Sequence, residues 1–136
     1  MTLIRKSSLV IALLISAVPA FAQEPGWELI GERTVDGLAE RDVIDARPIV
    51  YATHLRLCVD REALNVRDVE VFYRNGNQQS LPIGLVVPAG GCTPDVELHN
   101  SGSLDLDRLM LSYGRAGPRE VRPRIYVFAL ASRVLR

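Results

Sequence analysis

Apolar and polar residues alternate along this chain with the period of a strand, in short stretches separated by turn-forming residues. Ile49, Tyr51, Leu55, Leu57 and Val59 share one parity, with Thr53 the only polar member of the set. Val69, Val71 and Tyr73 repeat the pattern, as do Leu81, Ile83, Leu85 and Val87. Near the C-terminus Ile125, Val127 and Ala129 fall on one side, and Tyr126, Phe128 and Leu130 on the other. That arrangement predicts a strand buried on both faces. There is no internal repeat, low-complexity tract or heptad pattern. The chain therefore reads as all-β: a single antiparallel β-sandwich, jelly-roll-like, of seven or eight strands.

Turn chemistry refines the register. Asn75-Gly76 as a two-residue hairpin would set Val71 against Ser80 and Val69 against Pro82. A three-residue loop, Asn75-Gly76-Asn77, sets Val71 against Leu81 and Val69 against Ile83, so burial favours the longer loop. A turn at Pro88-Ala89-Gly90-Gly91 would then place Ile83 opposite Val96 and Leu81 opposite Leu98. It would also place Val87 opposite Cys92, pointing Cys92 at the core. Cys58 has the opposite parity from Leu55, Leu57 and Val59, so a bridge to Cys92 needs a bulge there or a strand covered on both faces. Two segments are ambiguous. Leu106, Leu109, Met110 and Tyr113 have helical spacing, but Gly102 and Gly114 punctuate a stretch better read as a strand that changes parity near Arg108. Asp60 to Leu64 suits a helical turn between strands.

The N-terminus is organised differently. Arg5 and Lys6 precede Leu9 to Val18, a stretch of ten that is apolar but for Ser16. Pro19 follows, and Ala20-Phe21-Ala22 supplies the small residues that a signal peptidase requires. Ten residues make a helix of about 15 Å, half of a bilayer core, so the segment is too short for a stable span. Residues 1–22 are expected to be a cleaved signal peptide and 23–136 the mature domain, periplasmic or secreted. No cysteine lies between Ala22 and Cys58, which excludes lipid attachment at the new N-terminus. No later segment is long enough to span a membrane as a helix: the best apolar runs, Leu81 to Val87 and Ile125 to Ala131, suit buried strands.

Removing residues 1–22 from 136 leaves 114, enough for one domain. The full chain carries 16 basic and 16 acidic residues; the leader takes two basic ones, so the mature balance is 14 against 16, net −2. Nucleic acid is therefore not an expected partner. Lys6 is the sole lysine, and codon bias accounts for that without invoking binding. The two cysteines, Cys58 and Cys92, are expected to pair in an oxidising compartment.

Candidate chemistry is sparse. Asp95, Glu97 and His99 share one strand face, but an ordinary solvated outer face explains them better than zinc. Asp105 and Asp107 lack the remaining ligands and glycine of a calcium loop. There is no Gly-x-Ser-x-Gly elbow and no Gly-rich loop before a helix, so neither catalytic residues nor a cofactor or metal site is assigned. Among the aromatics Phe72, on the face of Glu70 and Arg74, is the best candidate for exposure, while a lone Trp27 reads as a staple at one end.

The mature chain resembles a family of small exported bacterial β-sandwich proteins of unknown function. Trp27-Glu28-Leu29-Ile30-Gly31, Arg41-Asp42-Val43-Ile44 and Asp68 to Tyr73 before Asn75-Gly76 carry the likeness, with Leu81, Gly90-Gly91 and Leu109 to Tyr113. The resemblance implies a single β-sandwich and no assigned activity. The expected function is thus a non-catalytic binding or accessory module of the cell envelope. The alternatives are a small carbohydrate-binding or carbohydrate-active protein, and a structural partner of another envelope protein. Arg115, Arg119, Arg122 and Arg124 form a candidate anion-binding set for an anionic envelope polymer, with pairing to Asp95, Glu97, Asp105 and Asp107 as the structural alternative.

Overall fold

The computed structural model describes residues 25–35, 41–47, 52–99, 105–118 and 120–131. The leader, Ile49, Tyr51 and Arg119 lie outside them. Eight strands follow in order: β1 (Trp27–Thr34), β2 (Arg41–Asp45), β3 (Ala52–Asp60), β4 (Leu64–Tyr73), β5 (Gln78–Val87), β6 (Val96–Glu97), β7 (Leu106–Arg115) and β8 (Arg124–Ala131). They form two four-stranded antiparallel sheets, β1-β8-β3-β6 (sheet A) and β2-β7-β4-β5 (sheet B). Pairing of first with eighth, second with seventh, third with sixth and fourth with fifth is the winding of a jelly roll. The expected fold class is the one observed, and the described residues contain no helix.

The core lies between the sheets. Leu55, Leu57 and Val59 of β3 and Ile125, Val127 and Ala129 of β8 meet Val69, Val71, Leu109, Leu111 and Tyr113 of sheet B. Bulges interrupt the alternation and re-aim it. At Thr53 the register shifts, so Ala52 rather than Thr53 continues the inward set, and the Thr53 hydroxyl donates to the Leu130 carbonyl at 3.2 Å. In β7 the expected strand is observed, with its parity change at Asp107 and Arg108, where the register against β4 slips between Phe72 and Tyr73. Residues 61–63 form a bend between the sheets, not a helical turn, with Arg61 at φ 72°.

Two registers differ from expectation. The β4–β5 loop has the expected three residues but sits one position earlier, at Arg74-Asn75-Gly76: Tyr73 N–H donates to Asn77 O, and Val69 faces Leu81. Gly76, at φ 89°, takes the left-handed position of the loop. The observed register keeps the same parity but sets Val71 opposite Gln79, whose amide is held by the Tyr73 hydroxyl, so alternation alone could not separate the two. The turn at Pro88–Gly91 exists, with Gly91 N–H donating to Pro88 O, but it is not a hairpin. It carries the chain from sheet B to sheet A, where residues 90–93 run along β3: Val59 N–H donates to Gly91 O, and Thr93 N–H to Leu57 O.

Polar clasps close both open sides of the sandwich. Between β1 and β2, the buried Asp42 carboxylate accepts from the Tyr113 hydroxyl at 2.8 Å and pairs with Arg33 at 3.1 Å. Between β5 and the β6 segment, the Gln79 carbonyl accepts from the Tyr73 hydroxyl at 2.7 Å and from His99 N–H at 2.8 Å. β1 and β2 approach so closely that a Cβ on Gly31 would stand 2.5 Å from the Ile44 side chain.

Burial pushes the Tyr73 phenol up to about 12, from an ordinary 10. The folded state holds the neutral phenol, whereas the unfolded chain releases its proton near pH 10. The contribution to stability is therefore complete below pH 10 and lost as pH rises from 10 to 12. Absorbance titration should find one phenol ionising well after an ordinary tyrosine, and Tyr73→Phe should remove that late step.

Candidate functional site

The outward faces of the two sheets have different characters, and that difference locates the site. On sheet A, strand pairing sets Trp27 beside Leu130, Leu29 beside Phe128 beside Arg56, and Glu32 beside Tyr126 beside Cys58. Cys58, Tyr126 and Phe128 form a second buried cluster, with Trp27 and Leu29 packed against it. Although Phe128 points away from the main core, only 2% of it is exposed. Arg56 helps cover this layer. Its guanidinium lies 4.1 Å over the Trp27 ring and makes a forked pair with Asp95, at 2.7 and 3.2 Å.

The disulfide belongs to the same layer. Cys58 and Cys92 are joined, opposite one another across β3 and the 90–93 segment. Cys92 is exposed rather than directed at the core, because its segment joins sheet A instead of pairing with β5. The parity conflict at Cys58 is resolved by a strand covered on both faces. Trp27 begins β1 and supports this layer rather than closing an end of the sandwich.

The outer face of sheet B is open and mixed, its polar side chains interspersed with the exposed Val43 and Val86. Pairing aligns Arg41, Ser112, Asp68 and Pro82 in one row, and Val43, Met110, Glu70 and Ser80 in the next. The last row holds Asp45, Arg108, Phe72 and Gln78, and there the surface becomes concave. A groove of about 330 Å³ is lined by Phe72, Arg74, Asn77, Gln78, Asp107 and Arg108, with the Gly76 turn at its rim. Two backbone irregularities build it. The bulge at Asp107-Arg108 turns two consecutive side chains outward at the start of β7, and the tight β4–β5 loop places Arg74 beside them.

Inside the groove, Arg108 lies 4.5 Å over the half-buried Phe72 ring and pairs with Asp107 at 3.2 Å. Its position is thus fixed from two sides. Arg74 is exposed, and its side chain has no partner among the described residues. Two guanidinium groups against one carboxylate leave the lining with one surplus positive charge. An apolar ring, an acceptor, an amide and an unpaired cation in a solvent-open groove are equipped to bind a polar ligand.

The arginines singled out from sequence lie at the other end of the sandwich. Arg115 closes β7, Arg122 is exposed on the way to β8, and Arg124 opens β8. Arg124 bonds to Glu32 at 3.2 Å and Thr34 at 2.9 Å, and lies over Tyr126 at 5.6 Å. Asp95 pairs with Arg56, and Asp107 with Arg108, so neither acid is the partner of Arg124. Glu97 stands 4.0 Å from His99, and among the described residues no three His, Cys, Asp or Glu side chains gather as a metal site. Sequence reasoning reached Phe72 but not Arg74 or Arg108, although the predicted parity break near Arg108 was the available signal.

A family model for a domain of unknown function, DUF2541, matches residues 8–129. The chain belongs to the DUF2541 family. The match reaches from before β1 into β8, and it assigns no activity. No curated protein matches the sequence. A similar solved chain is described as "Structural and functional characterization of Pseudomonas aeruginosa AlgX", at 15% identity and a TM-score of 0.47. The alignment covers 74% of this chain and 26% of that one, so this DUF2541 protein corresponds to about a quarter of that chain's length.

Proposed function

We propose that this DUF2541 protein is an exported, non-catalytic binding module of the cell envelope, with the Phe72–Arg108 groove as its binding site. The groove carries the reading: it combines a partly exposed aromatic with polar groups, and no nucleophile is held beside a base within it. Export is supported by the Cys58–Cys92 disulfide, which is characteristic of oxidising, extracytoplasmic compartments. The basic, apolar and small-residue order of residues 1–22 supports a cleaved leader, with the periplasm or the exterior as destination. Exported material should have an intact mass beginning at Gln23, and immobilised envelope polysaccharide should retain it. Phe72→Ala should fold yet lose retention. Unprocessed chain in the exported fraction would contradict the first part, and undiminished retention of Phe72→Ala the second.

A further inference from the structure

We propose that the groove receives an acidic sugar residue of a polysaccharide, with Arg74 holding its carboxylate. The inference rests on the binding-module reading and adds the chemical class of the ligand. Charge is the first reason. Asp107 neutralises Arg108, while Arg74 lines the same groove with no partner among the described residues. A guanidinium left over in a concave site is matched by one carboxylate, which it can hold through two parallel N–H bonds.

The rest of the lining says why the carboxylate should belong to a sugar. Arg108 covers one face of the half-buried Phe72 ring, and the part of the ring still exposed to the groove can meet the C–H face of a pyranose. The Gln78 amide can donate and accept, and Asp107 accepts, which suits ring hydroxyls that do both. A single aromatic and a near-neutral chain argue against nucleic acid, which requires a basic track with several stacking platforms. The groove lies at one end of sheet B, across the end of β4, the start of β7 and the β4–β5 loop, and it is open to solvent. Repeated residues along a polysaccharide would strengthen a weak single site.

Affinity electrophoresis of the mature protein through gels containing polygalacturonate or neutral dextran tests the proposal. Polygalacturonate should retard the protein and dextran should not, and free galacturonate should reverse the retardation where inorganic phosphate at equal ionic strength does not. Arg74→Gln, checked for an unchanged melting temperature, should weaken binding at least about tenfold, as loss of a charge-assisted pair does. Equal displacement by phosphate would overturn the sugar assignment. Retention by dextran that depends on Phe72 but not Arg74 would overturn the acidic class while leaving the binding-module reading intact. Loss of binding on Arg122→Gln with none on Arg74→Gln would move the site to the β7–β8 connection and overturn the groove. If neither polymer nor envelope polysaccharide retains the protein, the inference and the reading beneath it fail together.

Discussion

Reducing the Cys58–Cys92 bridge should lower stability by about 3–4 kcal/mol and leave the fold in place. The bridge closes a loop with a sequence separation of 34, so most of the loss comes from entropy returned to the unfolded chain. The native arrangement has independent support. Gly90, Gly91 and Thr93 keep their backbone bonds to Val59 and Leu57, the Thr93 hydroxyl accepts from Leu57 N–H at 3.1 Å, and Asp95 keeps its fork with Arg56. For a domain of this size the melting temperature should fall on the order of 10 °C or more. Thermal melts of oxidised protein and of Cys58→Ser with Cys92→Ser check this. A double variant that melts with the wild type would mean that the bridge constrains nothing beyond what those bonds already hold.

The second large effect separates two phenylalanines that both point away from the main core. Phe128→Ala should cost about 3–5 kcal/mol, the range for a fully buried aromatic, because Leu29 packs beside it and Arg56 lies across the same layer. Phe72→Ala should cost much less, since half-buried Phe72 gives up little apolar burial and leaves a groove already open to water. Denaturant unfolding of the two variants measures the difference directly. Equal losses would contradict the division between a covered outer face on sheet A and an open one on sheet B.

That division also marks how far the sequence could be read. The all-β class, the doubly buried β8 and the parity break in β7 follow from alternation, because a strand's side chains must divide between two faces. The pairing of Cys58 with Cys92 followed from the cysteine count. The route between those cysteines did not. A strand that leaves one sheet for the other after a Pro-Gly turn has the same local alternation as one that returns in a hairpin, so only the conflict at Cys58 signalled the crossing. Thr53 shows a similar limit, since a bulge moves Ala52 inward without any change in composition. In the site, Phe72 was legible by its face, whereas the parity break near Arg108 marked an irregularity in β7 without singling out Arg108 as a site residue. Arg74 was not legible, because its place in the groove depends on a loop that begins one residue earlier than turn chemistry suggested.

The most direct test of the binding site is its location on the protein. Amide resonances of the ¹⁵N-labelled mature protein can be followed while a short oligogalacturonate is added. The account predicts that shifts concentrate on Phe72 to Gln78 and on Asp107 and Arg108, with the outer face of sheet A and residues 120–124 unmoved. Shifts centred on Arg122 and Arg124, or spread evenly over both sheets, would contradict it.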